Sequence, residues 1–158
     1  GHGLSYSNLE IGAPRVSSES FSAGDELTVE VEVANTGSRP GKEVVQCYVA
    51  PCAPRLFRPQ RELRAFQKVS LGPGERTLVK LSLGDRAFAY WDDADAGYDE
   101  LQARGSAVVP AGAGAPHRSQ KGWYVDAGPH ELLIGRSSVD TPHCVRVNVT
   151  ADAGPLEA

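Results

Sequence analysis

A chain of 158 residues with a net charge of −4 is long enough for one domain of ordinary size, which needs neither a disulfide nor a metal to hold its core. Its 16 basic and 20 acidic residues form no long run of either sign, so we expect no nucleic-acid partner. No stretch approaches the ~20 consecutive apolar residues of a membrane-spanning helix, so we expect no membrane partner.

The sequence contains no methionine and starts with Gly1-His2-Gly3, and we interpret it as a piece of a longer protein. Its three cysteines cannot all pair with one another. Cys47 shares a strand face with valines and is predicted to be a small buried hydrophobe, whereas Cys52 and Cys144 are predicted to be free thiols rather than a disulfide. This cysteine usage favours a reducing compartment such as the bacterial cytoplasm over secretion.

The first third of the chain predicts three strands. Residues 5–17 contain two weak apolar pieces separated by Gly12-Ala13-Pro14, and we predict an edge strand interrupted at Pro14, because proline lacks the amide hydrogen that a ladder needs. Residues 27–34 and 43–50 alternate apolar and polar side chains, which gives each strand one apolar face. The turn residues between these two strands indicate that they form one antiparallel unit.

The middle of the chain begins with a proline-rich segment, residues 51–59, which is predicted to be a loop. Residues 62–71 and 77–83 alternate on either side of Gly72-Pro73-Gly74-Glu75, and this pattern predicts a β-hairpin. Residues 86–91 are short enough to form either a strand or one helical turn.

Residues 92–122 differ in character, with small residues, acids, glycines and prolines in no sustained period. A segment of this length without periodicity is typical of a functional or a mobile excursion. Alternation returns in residues 123–125, 131–134 and 144–149, which are predicted strands. Residues 151–158 are interpreted as a C-terminal tail.

Seven or eight short strands with regular turn signals predict an all-β fold. The pattern is typical of an immunoglobulin or fibronectin type III-like β-sandwich, with two antiparallel sheets, Greek-key connections and a long irregular insertion at residues 93–121. The Cys–Trp–Cys spacing of antibody domains is missing from the sequence.

Five stretches in register resemble a known family: GHGLSYSNLEI, VEVANTGSRPGKEVVQCYV, RPQRELRAFQKVSLGPGE, FAYWDD and WYVDAGPHELLIGRSSVD. They are similar in order and spacing to the C-terminal fibronectin type III-like domain of glycoside hydrolase family 3, which includes β-glucosidases, β-xylosidases and related exo-acting enzymes. The resemblance covers nearly the whole chain except residues 93–121, where the family typically has a short hairpin loop. His130 stands where an aromatic residue is common in the family.

The resemblance implies that residues 1–6 are a linker from two catalytic domains and that residues 7–150 are the sandwich. The family's nucleophile and acid/base residue lie in those other domains, so no catalytic residue carries over to this chain. The resemblance therefore implies that this chain is a non-catalytic accessory module, which supports the catalytic domains of its own parent chain. The parent would hydrolyse terminal β-linked sugars with retention, and no cofactor is implied.

The residues themselves suggest no catalytic or metal site. The dense acidic group is interpreted as a solvated loop, in preference to a weak calcium site or a catalytic pair, because catalytic carboxylates need a rigid frame. The four histidines have no spacing that places two of them on one strand face. The acidic group consists of Asp92, Asp93, Asp95, Asp99 and Glu100.

Two groups of residues remain as candidates for binding. If residues 88–91 pair with residues 123–125, four aromatic residues meet: Tyr90, Trp91, Trp123 and Tyr124. We interpret them as core or interface packing, and the alternative is a platform on which a sugar ring stacks. Arginines and an exposed phenylalanine suit a protein interface, so a second group is predicted to contact the catalytic domains: Leu4, Tyr6, Phe57, Arg58 and Arg61, beside Arg55 and Arg64. The rival hypothesis is a stand-alone carbohydrate-binding or surface-adhesion module.

Overall fold

The computed structural model describes residues 6–56, 58–94 and 118–157, and within them the chain is almost entirely β-structure. Leu4, Phe57 and most of the insertion at residues 93–121 lie outside the described residues. In chain order the elements are β1 (Leu9–Ile11), β2 (Arg15–Val16), β3 (Ser20–Phe21), β4 (Leu27–Asn35), β5 (Gly41–Pro51), β6 (Glu62–Leu71), β7 (Arg76–Leu83), α1 (Asp85–Phe88), β8 (Tyr90–Asp92), β9 (Gly122–Val125), β10 (Gly128–Gly135), β11 (His143–Val149) and β12 (Ala153–Leu156).

Strand β4 is the centre of the first sheet. It pairs antiparallel with β7 along one edge and with β1 and then β2 along the other. The amides of Gly12, just after β1, and Ser17, just after β2, also donate to carbonyls of β4, over 2.8 and 2.9 Å. The predicted edge strand interrupted at Pro14 is therefore confirmed.

The second sheet has the strand order β3-β11-β10-β5-β6. Strand β3 pairs in parallel with β11, and the other neighbours are antiparallel. A third, smaller sheet has the order β12-β9-β8. Strands β8 and β9, like α1, lie in the connection between β7 and β10, whereas β12 follows β11.

The two larger sheets enclose one apolar core. Side chains from one interior strand of each sheet are completely buried and belong to one cluster: Val29, Val31 and Val33 from β4, and Val45, Cys47 and Val49 from β5. Each fully buried valine contributes about 1.5–3 kcal/mol relative to an exposed one. The predicted all-β sandwich and the buried Cys47 are confirmed.

Two predicted strand pairs are wrong. Strands β4 and β5 lie in different sheets, and so do β6 and β7, because β6 pairs with β5 whereas β7 pairs with β4. Alternation of apolar residues shows that one face of a strand is buried, but it does not identify the hydrogen-bonded neighbour. The connections after β4 and after β6 therefore cross between the sheets. The second crossing turns at Gly74, which has a φ of 76°.

Two further segments are more regular than their sequences indicate. Residues 86–91 divide between both alternatives, since α1 is one helical turn and β8 follows it directly. Residues 153–156, within the predicted tail, form β12 and pair with β9 through Trp123↔Leu156. Among the described residues, no helix has the length and apolar character needed to cross a membrane.

A buried asparagine joins the segments at one end of the sandwich. Asn35, which is 1% exposed, donates from Nδ2 to the carbonyls of Arg39 and Leu71, over 2.8 and 3.0 Å. Its Oδ1 accepts from the Ser7 hydroxyl at 2.7 Å and from the Gly37 amide at 3.0 Å. A Cβ at Gly37 would lie 2.6 Å from the Ser7 hydroxyl oxygen, so only glycine permits this close approach.

We expect Asn35→Ala to lower the free energy of unfolding by about 1–3 kcal/mol or more, because each buried group left without a partner costs about that amount. Urea denaturation measures the change. The control is Asn148→Ala, which truncates an exposed asparagine of β11 and should change stability by no more than about 0.5 kcal/mol. Equal effects of the two substitutions would contradict the role given to Asn35.

Candidate functional site

The four aromatic residues singled out in the sequence lie in the third sheet. Tyr90 pairs with Tyr124 and Trp91 with Trp123, so the predicted pairing of these two segments is confirmed. Register partners share a face of a sheet. Tyr90 and Tyr124 form one buried cluster with Leu56 and are only 6% and 5% exposed. These two tyrosines are packing residues.

Trp91 and Trp123 share the opposite face of the third sheet. Their ring centroids are 5.6 Å apart in an edge-to-face arrangement. Trp123 also packs against the main core, whereas Trp91 is 52% exposed. The guanidinium carbon of Arg86 lies 3.9 Å from the Trp123 ring centroid, a cation–π geometry.

Arg86 also borders an open groove of about 400 Å³ beside α1. The groove is lined by both apolar and polar groups: Leu63, Arg64, Ser82, Gly84, Asp85, Arg86 and Ala87. Arg86 is the residue that the groove shares with the tryptophan pair. A groove with guanidinium, hydroxyl and carboxylate groups can bind a hydroxylated ligand.

His130 fills an aromatic position. It is 3% exposed, its ring meets Phe88 edge-on at 5.6 Å, and its Nδ1 lies 3.1 Å from the Gly128 carbonyl. Burial lowers the pKa of His130 below its ordinary value, so the ring is neutral near pH 7. The histidine thus packs as an aromatic ring would.

Asp92 connects the two residues that flank the segment 95–117. Its side chain is completely buried, and its two oxygens accept from the amides of Ala94, at 3.0 Å, and Arg118, at 2.8 Å. One carboxylate therefore holds the two residues that flank this segment next to each other. The interpretation of Asp92 as part of a solvated loop is wrong, because the flanking amides supply hydrogen bonds that water would otherwise make.

A second group of acids converges on Arg118. Its Nη2 donates to Asp126 at 2.7 Å and to Asp152 at 2.9 Å, and its guanidinium lies 5.0 Å from the Tyr124 ring centroid. The Tyr90 hydroxyl donates to the same Asp126 oxygen at 3.1 Å. Burial and the nearby Asp126 charge raise the pKa of Tyr90 to about 12.

The Asp126 and Asp152 carboxylates are close enough to resemble a glycosidase pair, but the electrostatics differ. A general acid needs a raised pKa. The amide of Ala127 and the Arg118 guanidinium instead hold the pKa of Asp152 below its ordinary value. Both carboxylates share one arginine, so this group is a structural ion cluster.

The predicted interface arginines divide into buried and accessible ones. The Arg58 side chain is 8% exposed and pairs with Glu62 at 2.5 Å, and Arg64 pairs with the same oxygen at 2.9 Å. Burial alone would raise the pKa of Glu62, but the two arginines outweigh it and lower the value. Arg61 instead reaches the Ser138 carbonyl at 3.0 Å, and Tyr6 is 94% exposed. Arg58 thus lies inside the domain, and Tyr6 lies at the surface.

The cysteines follow the sequence interpretation. Cys47 is buried, and burial raises the pKa of its thiol to about 12, whereas Cys52 and Cys144 are free and exposed. Across residues 6–56, 58–94 and 118–157, no group of three or more His, Cys, Asp or Glu side chains is arranged to hold a metal ion.

The sequence reasoning missed the residues that organise this end of the domain: Arg86, Arg118, Asp126 and Asp152. Each is a common charged residue in a loop or a short turn, where no period marks burial. The signal that could have found Arg118 is its place at the far end of the long insertion, since the ends of an insertion must be brought together.

Comparisons with known proteins place the chain in a family. The family model of the fibronectin type III-like domain matches residues 43–138. The chain belongs to the fibronectin type III-like family. Thermostable beta-glucosidase B of Acetivibrio thermocellus is 36% identical over 152 residues, which cover 95% of this chain and 17% of that protein. The exo-alpha-(1->6)-L-arabinopyranosidase of Bifidobacterium longum is 32% identical, over 96% of this chain and 16% of that protein.

Solved structures agree with these relatives. The beta-glucosidase from Kluyveromyces marxianus in complex with glucose matches with a TM-score of 0.71 and 27% identity, over 96% of this chain and 15% of that one. The fibronectin type III-like chain thus spans about one sixth of the proteins it matches, and the resemblance to glycoside hydrolase family 3 is confirmed. It corresponds to a small, accessory part of these enzymes.

We expect Asp92→Ala to lower the free energy of unfolding by about 1–3 kcal/mol, because two backbone amides lose their acceptor. Chemical denaturation measures this change. Asp25→Ala, at an exposed turn, is the control and should alter stability by about 0.5 kcal/mol at most. If the two variants unfold at the same denaturant concentration, Asp92 does not connect the residues that flank the segment.

Proposed function

We propose that this fibronectin type III-like domain is a non-catalytic accessory module of a larger glycoside hydrolase of family 3. The observation that carries the proposal is the coverage: nearly the whole chain matches a region that makes up about one sixth of β-glucosidases. In those relatives the matched region shares one polypeptide with the remaining five sixths. The module therefore associates with catalytic domains of its own parent chain.

The chemistry of the described residues supports a structural role. The carboxylates of Asp92, Asp126 and Asp152 accept hydrogen bonds from backbone amides or from Arg118. The side chains of Asn35 and Asp92 likewise form hydrogen bonds with the backbone. The parent hydrolyses terminal β-linked sugars with retention, as β-glucosidases and β-xylosidases do, and this module supplies a rigid support.

An activity assay separates the module from its parent. We expect this chain alone to hydrolyse aryl β-glucosides no faster than a buffer blank, and the intact parent to hydrolyse them. The control is the intact parent with the substitution Asp126→Asn in this module. It should retain turnover, because Asp126 belongs to a structural ion cluster. Turnover by the isolated chain, or loss of turnover in the folded control, would overturn the accessory role.

A second candidate function is carbohydrate binding, and the exposure of Trp91 favours it. Trp91 is half exposed beside Trp123, and the Arg86 guanidinium stacks on the latter. Aromatic faces stack on the apolar faces of sugar rings, and nearby charged groups can bind the hydroxyls. The buried Tyr90 and Tyr124 are excluded from such a platform by their packing.

Titration of the chain with soluble glucans tests this second candidate. If Trp91 binds sugar, we expect saturable binding that Trp91→Ala weakens by roughly tenfold or more, the equivalent of about 1.4 kcal/mol. Phe66→Ala removes an exposed aromatic from another sheet and should leave the affinity unchanged. Absence of saturation, or equal losses in both variants, rejects the sugar platform.

A further inference from the structure

Six large apolar side chains are exposed among the described residues. Four of them are Leu63 at 47% and Phe66 at 68% on β6, Val139 at 76% in the turn between β10 and β11, and Tyr6 at 94% just before β1. The other two, Leu78 and Trp91, lie elsewhere. A contiguous exposed apolar surface usually marks an interaction site.

The register of the second sheet places two of the four on its outer face. Leu63 is the partner of Tyr48, and Phe66 is the partner of Gln46. The neighbours Val45, Cys47 and Val49 point into the core, so Gln46 and Tyr48 point outward. Leu63 and Phe66 therefore lie together on the outer face of β6, the terminal strand of this sheet.

The turn between β10 and β11 lies against the same face. The Gln46 side-chain amide donates to the Arg136 carbonyl, and the Tyr48 hydroxyl donates to Gln46 at 2.5 Å. From the other side, Arg61 donates to the Ser138 carbonyl at 3.0 Å. These bonds bring the exposed Val139 to the margin of the surface that Leu63 and Phe66 form.

Hydrogen bonds also tie this turn to the start of the described chain. Arg136 donates from Nη2 to the Leu9 carbonyl and from Nε to Glu43, at 3.1 Å. Tyr6 lies three residues before Leu9, and Ser7 is fixed by Asn35. Leu63 and Phe66 lie on the outer face of β6, and Arg61 binds the turn that contains Val139. Tyr6 lies three residues before Leu9, which the same turn binds. We call these five residues the turn face: Tyr6, Arg61, Leu63, Phe66 and Val139.

We propose that the turn face is where the catalytic part of the parent polypeptide packs against this module. The proposal rests on the proposed function, because the occupant is the parent chain. In the relatives, about five sixths of the polypeptide lies outside the matched region. A covalent tether gives the partner a high effective concentration, so a surface of modest area suffices.

The outer face of the first sheet has a different character. Leu78 is 53% exposed there, but it stands among ion pairs of Arg76 with Glu32, at 2.9 Å, and Lys80 with Glu30, at 2.6 Å. Exposed charge pairs of this kind remain hydrated, and interface cores are depleted of charged residues. Leu78 is therefore a matched control of similar exposure on a face that we expect to stay in water.

Hydroxyl-radical footprinting of the intact, monomeric parent tests the proposal. We expect Phe66 and Tyr6 to be oxidised as slowly as the buried Phe21, and Leu78 to be oxidised as an exposed leucine. Oxidation of Phe66 at the rate of an exposed phenylalanine would overturn the proposal. Protection that disappears on dilution would also overturn it, because the occupant would then be a second copy.

Substitutions in the intact parent provide a second measurement. Phe66→Ser with Val139→Ser should lower the temperature of unfolding of the parent, whereas Leu78→Ser should leave it nearly unchanged. Equal shifts in the two proteins would contradict a docking role for the turn face. Assaying the unsubstituted parent on aryl β-glucosides tests the proposed function separately, since footprinting reports packing whether or not the parent hydrolyses these compounds.

Discussion

The burial of the valine-rich faces of β4 and β5 in one core is the constraint on which the rest of the structure depends. The two strands belong to opposite sheets, in which β4 is central and β5 lies between β10 and β6, and the inward valines of both have no exposure at all. Burying both faces fixes which residues of each neighbouring strand point inward, because the side-chain period of a strand is two. The outward positions do not contribute to this core, and they include the exposed residues Leu63 and Phe66 of the turn face.

Local alternation was sufficient to predict the strands and the sandwich, and it was insufficient to predict their partners. The runs that form β4, β5, β6 and β7 were each located correctly, yet β4 and β5 were assigned to one antiparallel unit and β6 and β7 to a hairpin. The physical reason is that Gly and Pro turns permit a reversal within a sheet and a crossing between sheets equally well. The choice is made by long-range burial, which a short sequence window does not contain.

The candidate site divides in the same way. The sequence predicted that Tyr90, Trp91, Trp123 and Tyr124 meet only on the condition that residues 88–91 pair with residues 123–125, and the structure shows that pairing. The sequence did not indicate which pair is buried, because burial depends on Leu56 from the proline-rich loop and on Arg86 from α1. Polar residues such as Arg118 were missed because their partners come from distant parts of the chain, at residues 126 and 152.

The carboxylate of Asp92 has a consequence for how this fold can vary. The carboxylate accepts hydrogen bonds from the amides of Ala94 and Arg118. It therefore holds the two residues on either side of the intervening segment together, whatever sequence that segment has. Because the entropy of closing a loop grows only slowly with its length, a fold in which these two residues are held together tolerates large differences in inserted chain. This position is therefore a natural graft point, at which new sequence can be spliced into the module without altering either sheet of the sandwich.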